Sequence, residues 1–375
     1  MRKRYQKWIE DWETRLTDRD TNRVVRPFEW GLDWIHDFPG VYANGGRPSP
    51  DAGNAAIEQY IHALNDNIVA HSDEFFSYQT PTDFRLESRE LKLCATGVDK
   101  EARNAAFNPE GKSGEFLRFT SPVRTPHPEN DLVNARWFPA RGRRAVVVMP
   151  QWNSDAESHN TLCRGFNLLG IAALRLSMPY HDVRMPTELS RADYAVSANV
   201  GRTISAARQA VADVRSCLDW LAAQGYRQFG VVGTSLGSCY AFLASAHDPR
   251  LRVNVFNHVS TYFADVVWTG QSTRHVRAGM ESTTDLERLR QAWLAISPMA
   301  YFDKFDRWPK KAVMIYGKYD MTFLPEFSRQ IAAEFLRRKV ECKIVELPCG
   351  HYTTGEAPYK FMDGWQIMQF LRTAW

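Results

Sequence analysis

The chain has no pair of cysteines spaced C-x-x-C, although it contains six cysteines, at positions 94, 163, 217, 239, 342 and 349. That absence removes the usual thiol frameworks for zinc ribbons and dithiol redox motifs. The six lie mostly within apolar patterns, where a free cysteine behaves as a small hydrophobe, so a reducing, cytoplasmic setting is expected. No apolar run approaches the roughly 18 residues of a membrane-spanning helix, so no membrane span is expected. The start, Met1-Arg2-Lys3-Arg4-Tyr5-Gln6-Lys7, has the charge of a signal peptide. It meets Glu10, Asp11 and Glu13 rather than an apolar core, which disfavours export by that route. There is no H-E-x-x-H and no Cys/His cluster at zinc spacing, and neither a metal nor a cofactor is expected. A block of one charge is lacking too: 47 Lys and Arg are scattered among 43 Asp and Glu, for a net charge of +4. Nucleic acid is therefore not an expected partner. Internal repeats and low-complexity tracts are absent.

What is present is enough to build a large core. With 375 residues, 44% of them hydrophobic, the chain suits one large α/β domain with additions, or two domains. From about residue 116 onward, short apolar runs alternate with helical patterns. Strands are expected at 116–120 and 131–138, then at 145–149, where Ala145-Val146-Val147-Val148-Met149 reads as a strand buried on both faces. A helical stretch at 158–169 leads to a strand at 171–176. In the next helix Ala207, Val211, Val214, Leu218 and Leu221 form one apolar stripe, and Gly225 sits where a helix terminates. Further strands are expected at 251–259, 312–316 and 342–347, with helices at 236–246, 325–338 and 359–374. This alternation predicts a mainly parallel, doubly wound sheet covered by helices on both faces.

Two regions break the rhythm. Residues 260–311 are too long for a simple crossover, and Tyr262, Phe263, Trp268, Met280 and Trp293 suggest a cap-like insertion at about 261–300. The alternative is an elaborated crossover that only packs on the sheet. Residues 1–110 read as a largely helical, aromatic-rich extension ahead of a catalytic domain at 111–375. The extension opens with an amphipathic helix carrying Tyr5, Ile9, Trp12 and Leu16. Trp8, Trp12, Trp30 and Trp34 read as packing ahead of an entrance lining. Loops are expected at 44–50 and 108–114.

The chemistry concentrates at Gly233-Thr234-Ser235-Leu236-Gly237. This G-x-S-x-G follows a strand-like run and precedes a helix, the context of a serine on a tight strand-to-helix turn. A serine hydroxyl needs a base to remove its proton during attack. Among ten histidines, His351 lies on the loop after the last expected strand, in Cys349-Gly350-His351-Tyr352. That loop and Ser235 fall at the same carboxyl edge of a parallel sheet. Asp320, in Gly317-Lys318-Tyr319-Asp320, follows the preceding strand and can orient His351. Asp265 is a second candidate for the acid. The oxyanion of a tetrahedral intermediate needs backbone donors, expected at Leu236 and, after the strand at 145–149, at Trp152, with Gln151 as its neighbour in the pocket. His181, in Met178-Pro179-Tyr180-His181-Asp182, reads as a loop residue first and as a pocket residue, with Tyr180, second. Cys239 lies one turn beyond Ser235 and reads as packing.

From about residue 130 to its end, the chain resembles the α/β-hydrolase superfamily, in the branch of prolyl-oligopeptidase-like and acetyl-xylan-esterase-like serine esterases. The likeness rests on Asp219-Trp220-Leu221 before the elbow, on Ile296-Ser297-Pro298-Met299, and on the Gly317…Asp320 turn with its following Gly-His loop. It implies the triad Ser235, Asp320 and His351. Relatives often have His-Gly-X where this chain has Pro150-Gln151-Trp152, a departure that leaves a backbone donor at Trp152. The expected activity is hydrolysis of a small-molecule carboxylic ester through an acyl-enzyme. Peptidase or amidase action, acyl transfer, and a non-catalytic binding role for the fold are the alternatives. Aspartate or cysteine in place of Ser235 would have implied a haloalkane or epoxide hydrolase, or a dienelactone hydrolase.

Overall fold

A nine-stranded sheet forms the frame of the computed structural model, which describes residues 2–36, 38, 48–49, 52–90 and 113–375. The loop expected at 44–50 lies almost wholly outside the described residues, and so do Cys94 and most of the loop expected at 108–114. The strands are β1 (Arg85–Glu90), β2 (Ser113–Thr120), β3 (Leu132–Phe138), β4 (Arg144–Met149) and β5 (Ile171–Leu176). They continue with β6 (Gln228–Thr234), β7 (Leu251–Asn257), β8 (Lys311–Gly317) and β9 (Glu341–Leu347). Their order is β1-β2-β3-β5-β4-β6-β7-β8-β9. The β1/β2, β2/β3 and β3/β5 pairs are antiparallel, and every pair from β5/β4 to β8/β9 is parallel.

The continuous apolar run of β4 reflects burial on both faces. Val146 and Val148 pack into one layer with Val232, Val255 and Ile315, against the helices Asn160–Leu168 and Tyr359–Thr373. Ala145, Val147 and Met149 face the opposite layer, against Val200–Ala223 and Leu236–His247. The stripe expected from Ala207 to Leu221 lies within this 24-residue helix, whose N-cap Asn199 accepts the backbone N–H of Arg202. From β4 the chain moves to β5 on one side and returns to β6 on the other. Such a reversal opens a crevice at the carboxyl ends of the strands.

The extension is less separate than its composition suggests. β1 falls inside the stretch read as largely helical, yet it joins the sheet edge beside β2. Its sequence, Arg-Leu-Glu-Ser-Arg-Glu, holds a single apolar residue, so hydrophobic patterning could not reveal it. Helix α1 (Arg2–Thr17) packs Ile9 into the layer beside Tyr359–Thr373. Helix α2 (Asn54–Ala70) docks on the insertion, where Asn65 donates to the Ala292 carbonyl and accepts from the Ala295 N–H. The insertion itself carries the short helices Phe263–Thr269, Arg274–Ala278 and Leu286–Ala292.

Candidate active site

Ser235 sits between β6 and the helix Leu236–His247, with φ 57° and ψ −122°. That conformation costs on the order of 1–3 kcal/mol and must be imposed by its surroundings. Its N–H donates to the Asn257 carbonyl at the end of β7, 2.7 Å away. The flanking glycines are steric requirements. A Cβ at Gly233 would lie 2.4 Å from the Gly237 carbonyl oxygen, and one at Gly237 would lie 2.2 Å from that of Met149. The second approach also brings the loop after β4 against the elbow.

The loops after β8 and β9 converge on the elbow. His351 Nε2 lies 2.8 Å from Ser235 Oγ, and its Nδ1 lies 2.8 Å from Asp320 Oδ2. With the Nδ1 proton donated to the carboxylate, Nε2 is left to accept the serine proton. Asp320 is itself fully engaged: Oδ1 accepts the N–H groups of Thr322 and Phe323 at 2.8 and 2.7 Å. Burial pushes the Asp320 carboxyl up, but His351 and the hydrogen bonds from both neighbouring histidines outweigh it and hold the group well below the usual range. Burial likewise opposes charging of His351, yet the Asp320 carboxylate prevails and raises it above an ordinary histidine. Phe323 stacks on the His351 ring at 5.0 Å and fixes its plane.

The second histidine is His258, just past β7, which sequence reasoning missed. Its Nδ1 donates to Asp320 Oδ2 at 2.8 Å, and its Nε2 lies 3.1 Å from Thr354 Oγ1. Burial lowers its pKa. The signal was available, since a histidine at the carboxyl end of a parallel strand beside the elbow belongs to the same edge. Asp265 lies elsewhere: it is buried in the insertion and paired with Arg290 at 2.6 Å.

A cavity of about 560 Å³ opens over Ser235 and His351. Val196, Leu236, Cys239, Phe263, Val266 and Val267 give it an apolar side. The insertion thus supplies wall residues, as a cap would. Gln151 and Trp152 also line it, and Trp152 is held by an Nε1 bond to the Ala192 carbonyl and by stacking on His275. Leu236 opens its helix, where first-turn N–H groups have no intrahelical acceptor. Tyr180 and His181 are not among the lining residues. Both are buried: His181 lies beneath the loop after β4, where its Nε2 accepts the Asn153 N–H while Nδ1 donates to the Pro179 carbonyl, and Tyr180 packs edge-on against His127 and Tyr194. Burial pushes His181 down to about 3, so it is neutral in this bracing role. Of the extension, Asp20 and Asn22 reach the cavity, whereas Trp8, Trp12, Trp30 and Trp34 do not line it.

Sheet order, the elbow and the loops after β8 and β9 together define the α/β-hydrolase fold. Among solved structures, an acetyl xylan esterase from Paenibacillus sp. R4 is similar with a TM-score of 0.55 and 11% identity, over 86% of this chain and 96% of that one. Acetyl xylan esterase 1 from Thermoanaerobacterium sp. JW/SL YS485 matches with a TM-score of 0.55 and 13% identity, over 84% and 98% of the two chains. The Pyrococcus horikoshii acylaminoacyl peptidase has a TM-score of 0.51 and 10% identity, over 69% of this chain and 41% of the peptidase. No family model and no curated protein sequence matches the chain. Among the described residues no helix is long and apolar enough to cross a membrane.

Proposed function

We propose that this protein is a serine hydrolase that cleaves a small carboxylic ester through an acyl-enzyme. The observation that carries the reading is the continuous chain of contacts from Ser235 Oγ through His351 to Asp320 at 2.8 Å each. Ser235 Oγ attacks the carbonyl carbon as its proton passes to His351 Nε2, and the oxyanion is met by the N–H groups of Leu236 and Trp152. Collapse of the intermediate breaks the C–O bond to the leaving alcohol, which takes the proton from Nε2. Water then attacks the acyl carbon, giving its proton to Nε2, and the carboxylic acid departs as Oγ is reprotonated. The apolar side of the cavity accommodates a small acyl or alcohol group, in line with the ester-cleaving names of the two acetyl xylan esterases. The test is turnover of p-nitrophenyl acetate together with labelling by a fluorophosphonate. Ser235→Ala is expected to lose both while remaining folded, with a rate loss on the order of 10⁶-fold. Undiminished turnover in that variant would sink the reading.

A further inference from the structure

We propose that Glu13, on the N-terminal helix α1, is a positioning residue for His351. The inference rests on the reading of His351 as the general base. Glu13 lies on the buried stripe of α1, four residues after Ile9, and has no exposed surface. A carboxylate in such a place is costly by several kcal/mol unless its oxygens are satisfied. Among the described residues no cation pairs with it. Both oxygens instead accept backbone N–H groups, Oε2 from Tyr352 at 3.0 Å and Oε1 from Thr353 at 2.6 Å.

Those two amides stand at the start of the short turn Thr353–Gly355, directly after His351. They are the donors that a helix-like turn leaves unbonded, and a side-chain oxygen usually caps them from the preceding residues. Here the cap comes from a helix 340 residues away in sequence from Thr353. From within, the loop is braced by Gly350 N–H donating to Thr353 Oγ1 at 2.7 Å and by Thr354 Oγ1 donating to the Gly350 carbonyl at 2.6 Å. Glu13 braces it from outside. The approach is close enough to dictate the glycine beside the histidine: a Cβ at Gly350 would lie 2.3 Å from Glu13 Cδ.

Helix α1 is tied at several points. Tyr5 donates its hydroxyl to the Pro348 carbonyl at 2.6 Å, Thr14 accepts from Gln271, and Asp18, just past the end of the helix, accepts from Arg274. The helix therefore joins the His351 loop to the insertion. Glu13 also adds negative charge near His351, acting with Asp320 to favour the imidazolium that forms during attack. Burial raises the Glu13 carboxyl, while its two backbone donors favour the charged form. The other groups around the pair are His258 beside the ring, Cys349 in the loop, and Asp20, Arg23 and Arg191 around Tyr352.

The experiment compares wild type with Glu13→Gln and Gly350→Ala in the full chain on p-nitrophenyl acetate, with thermal melting to verify folding. Glu13→Gln keeps the size but removes the charge and turns an NH2 toward a backbone N–H. It should lower kcat on the order of 10- to 100-fold, with KM little changed, and move the acid limb of kcat/KM to lower pH. Gly350→Ala should lower kcat in wild type and lower it less when combined with Glu13→Ala, because the truncated side chain leaves room for the methyl. A merely structural helix would lower the melting temperature and leave kcat per folded molecule and the acid limb where they were; that result overturns the proposal. If Glu13→Gln does not fold, Gly350→Ala alone carries the test, and an unchanged kcat overturns it. Ser235→Ala run in parallel separates the two readings. Turnover surviving there rejects the triad, whereas loss there with an unaffected Glu13→Gln rejects only the role of Glu13.

Discussion

The His351 loop is held on two sides by carboxylates of opposite visibility. Asp320 grips the imidazole itself, whereas Glu13 grips the backbone one and two residues later. Both are buried, and both spend their oxygens on hydrogen bonds rather than on ion pairs with Lys or Arg. In the proposed mechanism Asp320 meets the ring that becomes positive, so its constant negative charge stabilises more during attack than before it. Glu13 meets amides that stay neutral, so most of its effect is geometric. The difference separates stabilising a charge from placing the group that carries it.

Of the two carboxylates, Asp320 should give the larger effect. Replacing it by asparagine keeps the shape but offers an NH2 that can favour the wrong tautomer of His351, and kcat is expected to fall about 10⁴-fold. A loss no greater than that of Glu13→Gln would break the comparison, because it would make both carboxylates mere placers. His258 complicates the substitution, since it donates to the same Oδ2. A smaller effect is expected at Ile9, which is fully buried beneath α1. Ile9→Ala should cost about 2–5 kcal/mol in equilibrium denaturation if α1 unfolds with the sheet. An unchanged denaturation midpoint with reduced kcat would instead show that α1 opens on its own, ahead of the core.

The Ser235, His351 and Asp320 side of this comparison was legible as a candidate site because local rules expose it. Gly233 and Gly237 are demanded by backbone crowding, and Asp320 and His351 follow apolar strands that announce themselves. The parallel half of the sheet was legible for the same reason, since strands such as β4 are buried on both faces. β1 was hidden by its charged residues. Glu13 was hidden differently: its partners are backbone amides, which carry no sequence signal at all. What the sequence did contain was a glutamate at the position four after Ile9, in the apolar stripe of an amphipathic helix, where a charge has no place unless something receives it. The Gly350-His351 pair is legible as part of a loop, and its glycine answers to the close approach of Glu13 on α1.

The smallest expected effect is a position on the pH axis. The substrate p-nitrophenyl acetate does not ionise, so the acid limb of kcat/KM reports groups of the free enzyme. His351 must be neutral at Nε2 to accept the serine proton, so activity falls as pH drops through its pKa. Burial works against its charged form, but Asp320 outweighs burial and raises it above the ordinary 6.5. The half-maximal point should therefore lie above pH 6.5, while Asp320, held far below, stays ionised throughout. A second group in the same cavity titrates nearby. Burial pushes Asp363 up to about 7, against the opposing bond from Asn257 Nδ2 at 2.9 Å. Asp363 lies off the path of the proton, so Asp363→Asn should leave the limb in place. A limb that moves with Asp363→Asn would assign the ionisation to that carboxyl, and His351 would then be less strongly coupled to Asp320 than their 2.8 Å contact implies.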